Sequence, residues 1–475
     1  MPTFRALMGP IIASLVALAL FLVIYESPGL DPRLAAPKFH FWLVSGTSLL
    51  AFALAVLVGF AGARSGDARV AYLGAGFAGL AGFFSLHGLA TPGFLIGRSE
   101  VTGVAAELSL MSLAIWMYLA AYRRPNDEGA GMVRTLLVWV LFLVTVVTVG
   151  LARPDLARFI PVDDDPLRWG VTTLVIVLLL AAGARFLEGY RLSRSALHLV
   201  MLYLVGLLAV SQVIMVMGVV FQLSWWIYHA LLLIAVVSML VTVAGQLQAG
   251  TLSIGLGSLL TDDAERRLAY GLRPEVRALV VATEAKDRYT AGHMQRVAGF
   301  AVRLGRAAGL GPEDLRALAQ AAVVHDVGKI EVPDAVLNKP GTLLEQEIDL
   351  IRSHPDVGAR IGEALGMHRR ELEVIRHHHE RWDGSGYPDG LSGEEIPKLA
   401  RVLSIADVYD ALTSDRSYRD AWSPEAARQH ISREAGRSFD PELARAWLDM
   451  NSGSQLEAGR EAQPLKGMLG VQGAE

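Results

Sequence analysis

The distribution of apolar residues divides the chain into two halves of different kind. Before residue 248, eight apolar runs each approach or exceed the roughly 20 residues that a helix needs to cross a bilayer. Charged and proline-containing stretches separate them. The runs cover 6–25, 40–62, 70–90, 102–122, 132–151, 169–187, 196–219 and 225–247. This pattern predicts a bundle of about eight membrane helices over 1–247.

The second half follows a helical rather than an alternating pattern. Residues 317–324 are apolar apart from Gln320 and follow Gly311-Pro312, which is typical of a buried helix. A capping serine and a proline in Ser423-Pro424-Glu425 predict a helix over 424–434. The predicted fold class is therefore all-α: a polytopic membrane helix bundle followed by an all-α cytoplasmic domain.

Charge supports the boundary between the halves. Only 27 of the 90 charged residues lie in 1–247. We expect a linker or signalling helix over 248–273, a soluble domain over 274–451, and a disordered tail rich in Gly, Glu, Gln and Ser over 452–475. A net charge of −4 argues against a nucleic-acid polymer as partner. The absence of cysteine excludes disulfides, thiolate metal sites and cysteine nucleophiles.

The predicted membrane half gives an orientation and few functional candidates. Nine basic residues lie beside the N-terminus and in the even-numbered loops, against six in the odd-numbered loops, so both termini are expected in the cytoplasm. The first run is predicted to be a retained helix rather than a cleaved signal peptide. The few ionisable groups argue against a transporter, and we expect this half to sense a signal or to anchor the chain.

Four histidines lie in or beside these runs: His40, His87, His198 and His229. A pair such as His87 and His229 could bind a metal or haem, although hydrogen bonding to a neighbouring helix is the more common role. Trp225 and Trp226 are typical of aromatic residues at a membrane boundary.

Eight of the twelve histidines follow residue 290, and most are grouped with other potential ligands. These groups are His293, His325-Asp326, His354, the run His377-His378-His379, and Asp407. Imidazoles and carboxylates without thiolates suit Fe, Mn or Zn. Their number suits two metals that share a carboxylate, and Asp326 could reach both. Lys329 lies three residues after Asp326, on nearly the same helix face, and would suit an anion such as phosphate.

Residues from about 275 to 450 resemble the HD-GYP family, a branch of the HD phosphohydrolases. The GYP triplet, Gly386-Tyr387-Pro388, separates this branch from other HD enzymes. The matching segments occur in the order of the family: YTAGHMQRV (289–297), HDVGKIEVPDAVLNKPGTL (325–343), HPDVG (354–358), HHHERWDGSGYP (377–388), RVLSIADVYDALTSDRSYR (401–419) and SFDPEL (438–443).

The resemblance implies an HD-type domain and a role for each matching residue. Asp326 and Lys329 would be catalytic, and Lys329 and Arg416 would contact substrate phosphate. Gly386, Tyr387 and Pro388 would shape a loop beside the substrate. His377 would be structural. The implied metal ligands are His293, His325, Asp326, His354, His378, His379 and Asp407.

Two departures bear on these roles. Some family members carry a glutamate at the position of Tyr289 and hold three metals, so we expect two divalent metals here, Fe or Mn. Glu284 and Asp287 are expected to be solvated charges rather than to replace that glutamate. Ser417 stands where the family usually has proline, next to Arg416.

The resemblance also implies a substrate and a cellular setting. The substrate would be cyclic di-GMP, cut to pGpG, GMP or both, by a protein of the bacterial inner membrane. A homodimer and diguanylate cyclases of the GGDEF type are expected partners. The alternatives are a phosphodiesterase for cyclic GMP-AMP, and a non-catalytic dinucleotide receptor or protein-docking module.

Overall fold

A computed structural model of the chain describes residues 2–91, 101–122, 129–160, 165–249, 252–260, 274–286, 292–339, 341–415 and 420–450. The chain divides into two compact units, Met1–Asp262 and Asp263–Glu475. Within the described ranges all regular structure is helical, and β-type pairing is limited to three isolated bridges. The all-α prediction is therefore confirmed. The predicted tail over 452–475 and residues 250–251 and 261–273 of the predicted linker lie outside the described residues.

Eight helices of the first unit are, within the described part of the chain, long and apolar enough to cross a membrane, which confirms the predicted number. The short helix α9 (Leu252–Leu260) follows them. The eight are α1 (Pro2–Tyr25), α2 (Pro37–Ser65), α3 (Ala68–Leu89), α4 (Val101–Tyr122), α5 (Gly129–Ala152), α6 (Asp165–Ser193), α7 (Ala196–Met217) and α8 (Leu223–Gln248).

The first unit has apolar residues on its outside as well as in its core. Helix α3 packs against both α2 and α4 and is buried along most of its length. By contrast, Leu137 and Leu141 on α5 are 65% and 67% exposed. A soluble protein rarely exposes such a continuous apolar surface, whereas a helix that faces lipid must.

The second unit is built from shorter helices around one core. Tyr409 and Trp447 are buried in this core with ring centroids 4.8 Å apart, and Phe300 lies 5.0 Å from Tyr409. Burial of each such side chain stabilises the fold by about 1.5–3 kcal/mol. The helices are α10 (Pro274–Lys286), α11 (His293–Ala307), α12 (Pro312–Val324), α13 (Asp334–Leu337), α14 (Glu345–Arg352), α15 (His354–Ala364), α16 (Arg369–His377), α17 (Lys398–Thr413), α18 (Pro424–Arg433) and α19 (Pro441–Met450).

Two helices begin at the residues where the sequence predicts a helix start. Helix α12 begins at Pro312 after Gly311, and its apolar face lies in the core. Helix α18 begins at Pro424, and the Ser423 side chain accepts a hydrogen bond from the backbone N–H of Ala426. Because α11, α12 and α17 pack together, the ends of these helices are held close to one another.

Candidate metal centre

Six of the seven predicted ligands lie at helix ends. The apolar faces of these helices lie in the core and fix the positions of the helix ends. Asp407 is the exception and lies within α17, two turns before its end. His293 and His354 are the first residues of α11 and α15, His325-Asp326 directly follows α12, and His378-His379 directly follows α16.

The structure brings all seven predicted ligands together in two adjacent groups. Within each group, one ligand atom from every residue lies within 4.8 Å of the others. Most of these side chains are buried, whereas His379 and Asp407 are partly exposed, so each group has one member that solvent can reach. The first group is His293, His325 and Asp407, and the second is Asp326, His354, His378 and His379.

Asp326 faces both groups. Its Oδ2 atom lies 3.8 Å from Nε2 of His293 and 3.6 Å from Nε2 of His325. Its Oδ1 atom lies 3.3 Å from Nε2 of His354, in the other group. A buried carboxylate with one oxygen towards each group has the geometry of a shared ligand.

Backbone carbonyls fix the orientation of three histidines. Nδ1 of His325, His354 and His378 each lies 2.7 Å from the carbonyl oxygen three residues earlier. A carbonyl oxygen can only accept, so each Nδ1 carries the hydrogen. In the neutral ring Nε2 is then a bare lone pair. This is the arrangement that second-shell contacts impose on metal-binding histidines.

Within the described part of the chain, these lone pairs have no protein donor that would satisfy them. Nε2 of His354 and Nε2 of His378 face each other at 3.4 Å, although both are acceptors in neutral rings. Nε2 of His325 is fully buried and makes no hydrogen bond. Buried polar atoms are normally satisfied, and a cation between these nitrogens would satisfy them. The donor set therefore fits two divalent metal ions.

The electrostatics of the centre favour cations. Burial lowers the pKa of His379 to about 4 and also depresses the pKa of His378, so both rings are neutral near pH 7. Burial acts in the same direction on His293, but Asp407 and Asp410 outweigh it and raise its pKa to about 10. A metal that binds Nε2 of His293 must displace that proton, so metal affinity should rise with pH through the neutral range.

Two residues that support the centre were not anticipated from the sequence. Asp410 is buried, and its Oδ2 atom lies 2.7 Å from Nδ1 of His293. Arg296 holds Asp410 in turn, donating from Nε to Oδ1 at 2.7 Å and from Nη2 to Oδ2 at 3.0 Å. Asp410 lies three residues after Asp407 and Arg296 three residues after His293, so the helical spacing was the available signal.

Replacing Asp410 by asparagine should weaken metal binding by about 10–100-fold, the usual cost of losing a second-shell partner. The substitution removes the charge that orients His293 and leaves Arg296 without its carboxylate partner. Asp440→Asn is a matched control, because Asp440 is also buried and pairs with Arg401 at 2.6 Å. Metal titrations of the two variants should differ. Equal affinities would show that Asp410 has no role at the centre.

Lys329 lies beside the shared carboxylate. Its Nζ donates to Oδ2 of Asp326 at 2.7 Å. The turn that carries Lys329, Val327–Glu331, packs directly on the start of α15, since a Cβ at Gly328 would collide with the carbonyl oxygen of His354. On its other side, Lys286 donates to the carbonyl of Ile330. These contacts hold the ammonium group of Lys329 beside the two groups of ligands.

The GYP segment lies against the second group. The ring of Tyr387 stacks on His379, with centroids 4.9 Å apart. Glu380 is buried and accepts backbone hydrogen bonds from residues 389–391, which shapes the loop. A side chain at Gly386 would collide with the backbone of Glu380. Arg352, which the sequence analysis did not single out, places its guanidinium 5.7 Å from the Tyr387 centroid.

The remaining predicted residues have varied outcomes. His377 points away from both groups and contacts Asp389 at 2.9 Å. Glu284, which was expected to be a solvated charge, is partly buried and accepts a hydrogen bond from the backbone N–H of Gly292 at 3.2 Å. Asp287 lies outside the described residues. Tyr289, Arg416 and Ser417 lie outside the described residues.

Comparison with known proteins adds to this geometry. Residues 280–443 match the family described as HD domain. The chain is 41% identical over 176 residues to the 3'3'-cGAMP-specific phosphodiesterase 2 of Vibrio cholerae. These aligned residues are 36% of this chain and 33% of the relative. It is 41% identical over 180 residues to the cyclic di-GMP phosphodiesterase response regulator RpfG of Xanthomonas campestris, covering 37% and 47% of the two chains.

A cyclic di-GMP phosphodiesterase of Pseudomonas aeruginosa is 39% identical over 176 residues, which is 37% of this chain and 42% of that protein. The chain thus spans between a third and a half of the length of these relatives. The residues that match the HD domain family lie within the second unit.

Proposed function

We propose that the chain is a membrane-bound, metal-dependent phosphodiesterase that hydrolyses cyclic di-GMP to pGpG, GMP or both. The observation that carries this proposal is Asp326, whose two oxygens face histidines of two adjacent groups while Lys329 donates to one of them. Two divalent cations at such a centre lower the pKa of an attacking water and stabilise charge on the phosphoryl oxygens. Fe or Mn suits the nitrogen and oxygen donors.

The side chains around the two groups offer donors to a phosphodiester. Lys329 is partly exposed and can contact a non-bridging oxygen while staying near Asp326. Burial raises the pKa of Tyr387, so its hydroxyl keeps its proton and can donate to phosphate. Arg352 adds a second cation next to Tyr387. We assign Arg416 to the same role, on the family resemblance alone.

The relatives support a cyclic dinucleotide as the substrate class. Two of them are named for cyclic di-GMP and one for 3'3'-cGAMP, at similar identities. Both substrates present the same ring of two phosphodiesters and differ in one base. Cyclic GMP-AMP is therefore the second candidate.

The first unit gives the proposed enzyme its location. We propose that its eight apolar helices cross the bacterial inner membrane with both termini in the cytoplasm, and that 248–273 links it to a phosphodiesterase domain over 274–451. A homodimer and GGDEF-type cyclases remain proposed partners.

The test is hydrolysis by the purified full chain, kept without oxygen and supplied with Mn²⁺ or Fe²⁺. Cyclic di-GMP and 3'3'-cGAMP are offered separately, and linear products are separated by chromatography. We expect metal-dependent cleavage that a chelator abolishes. Tight dinucleotide binding without cleavage would instead indicate a receptor, and cleavage of 3'3'-cGAMP alone would assign the second substrate.

A further inference from the structure

A second cluster of histidines lies in the first unit, apart from the centre described above. His40 on α2, His87 on α3 and His229 on α8 are each at most 2% exposed. Nε2 of His40 lies 3.1 Å from Nε2 of His87 and 2.9 Å from Nε2 of His229. Three helices thus direct three imidazole nitrogens towards one point inside the bundle. The proposed phosphodiesterase reaction does not use them.

Hydrogen bonds fix the tautomers of two of these rings. Nδ1 of His87 faces the backbone carbonyl of Thr102 at 2.8 Å, so it carries the hydrogen. Nδ1 of His40 faces the hydroxyl of Thr91 at 2.8 Å, and that hydroxyl donates to the carbonyl of Gly88. His40 must therefore also donate from Nδ1. In the neutral rings, the two Nε2 atoms are then both acceptors, and they face each other at 3.1 Å.

We propose that His40, His87 and His229 form a binding site for a late first-row transition metal of the Zn²⁺ or Cu²⁺ kind. A tetrahedral site with metal–nitrogen bonds of about 2.0–2.1 Å places its nitrogens roughly 3.3 Å apart, close to the spacing found here. Three imidazoles select such cations over Mg²⁺ or Ca²⁺, which prefer oxygen. The contacts of Thr91 and Thr102 supply the second shell that orients metal-binding histidines.

Tyr228 stands next to the remaining position. Its hydroxyl lies 3.3 Å from Nε2 of His87, and its ring packs on His229 with centroids 3.8 Å apart. A three-histidine site keeps a fourth position for water, an exogenous ligand or a nearby side chain. The buried Tyr228 hydroxyl is placed to contact whatever occupies that position.

The surrounding aromatic rings exclude haem, the other possibility raised by the sequence. Phe84 stacks on His87 at 5.3 Å, and Trp225 packs against His229 at 4.4 Å. Among the described residues, these rings and the third imidazole pack directly around the Nε2 atoms, which suits a single ion rather than a macrocycle. Trp225 is buried against this cluster, and its assignment to a membrane boundary stays a prediction.

The cluster lies near one end of the bundle. His40 is in the first turn of α2, His87 is in the last turn of α3, and His229 is in the second turn of α8. Asp31, which is buried, accepts hydrogen bonds from the backbone and hydroxyl of Ser224 and ties the preceding loop to the start of α8. The positive-inside pattern assigns this end to the outer side, so the site would be loaded from outside the cytoplasm.

The experiment measures metal bound by the full chain in detergent, in an Asp326→Ala background that disables the other centre. The protein is loaded with Zn²⁺, desalted, and its metal content is measured by mass spectrometry. We expect His87→Gln and His229→Gln each to lose one equivalent of zinc. His198→Gln is the matched control, because His198 is a fully buried histidine of α7 outside the cluster, and it should keep that equivalent.

A second measurement needs no further variant. X-ray absorption of zinc in the Asp326→Ala protein should show a shell of about three imidazole nitrogens, and Co²⁺ in its place should give tetrahedral bands. Equal zinc in all three histidine variants, or no zinc in the Asp326→Ala protein, would overturn the proposal and leave a purely hydrogen-bonded triad. Because the readout is metal content, failure here is independent of the proposed hydrolysis.

Discussion

Replacing Asp326 by alanine should remove metal and phosphodiesterase activity together. Its two oxygens face Nε2 atoms of His293, His325 and His354, all buried, so it is the carboxylate that the two groups have in common. Without it, Asp407 is the one carboxylate left among the described ligands, so less negative charge offsets the two cations. We expect a loss of affinity beyond the roughly 10–100-fold that a second-shell change costs, with turnover at the background rate.

Metal content and hydrolysis are measured on the same preparation of the full chain, with circular dichroism to confirm folding. Asp314→Ala is a suitable control, because Asp314 lies on the surface of α12 and pairs with Arg370 far from the ligands. Full activity with bound metal in Asp326→Ala would show that the two groups do not share this carboxylate, and the two-metal proposal would then be wrong.

The helical periodicity and the motif order anticipated much of the second unit for a physical reason. Local sequence signals predict where a helix ends, and therefore where a ligand at its end lies. Examples are the Gly311-Pro312 start of α12 and the apolar run that ends at His325. The seven predicted ligands are therefore all found in the two groups. Their roles as ligands stay predictions until metal is measured.

Residues that act across helices were harder to anticipate. Asp410 supports His293 only because α17 packs against α11, and Arg352 reaches Tyr387 from another segment. The spacing of Asp410 from Asp407 is an ordinary helical repeat, which many solvated faces share. Tertiary packing decides which of these repeats faces a site.

The membrane half posed a different difficulty. Its helices are apolar on every side, so hydrophobicity fixes their number but not which faces meet. Sequence reasoning favoured separate hydrogen bonds for His87 and His229, whereas the structure places both against His40. The three residues are far apart in sequence, and no local pattern links them.

Replacing Lys329 by alanine should separate metal binding from turnover, which Asp326→Ala cannot do. Lys329 donates to Asp326 at 2.7 Å but supplies no lone pair to a metal, since an ammonium group has only donors. Its proposed contribution is to the phosphoryl oxygens, where loss of one such donor costs about 10²–10³ in kcat. We expect unchanged metal content and a fall of that size, with a smaller change in KM.

The measurement combines metal analysis with steady-state hydrolysis of cyclic di-GMP over a range of substrate concentrations. Lys339→Ala is the matched control, because Lys339 pairs with Glu347 on the surface, outside both metal groups. Loss of metal in Lys329→Ala would mean that the lysine mainly stabilises the charge of Asp326, whose pKa its ammonium holds low against the effect of burial. Retained metal with wild-type turnover would remove Lys329 from the proposed reaction and transfer the phosphate-binding role to Arg352 and Tyr387.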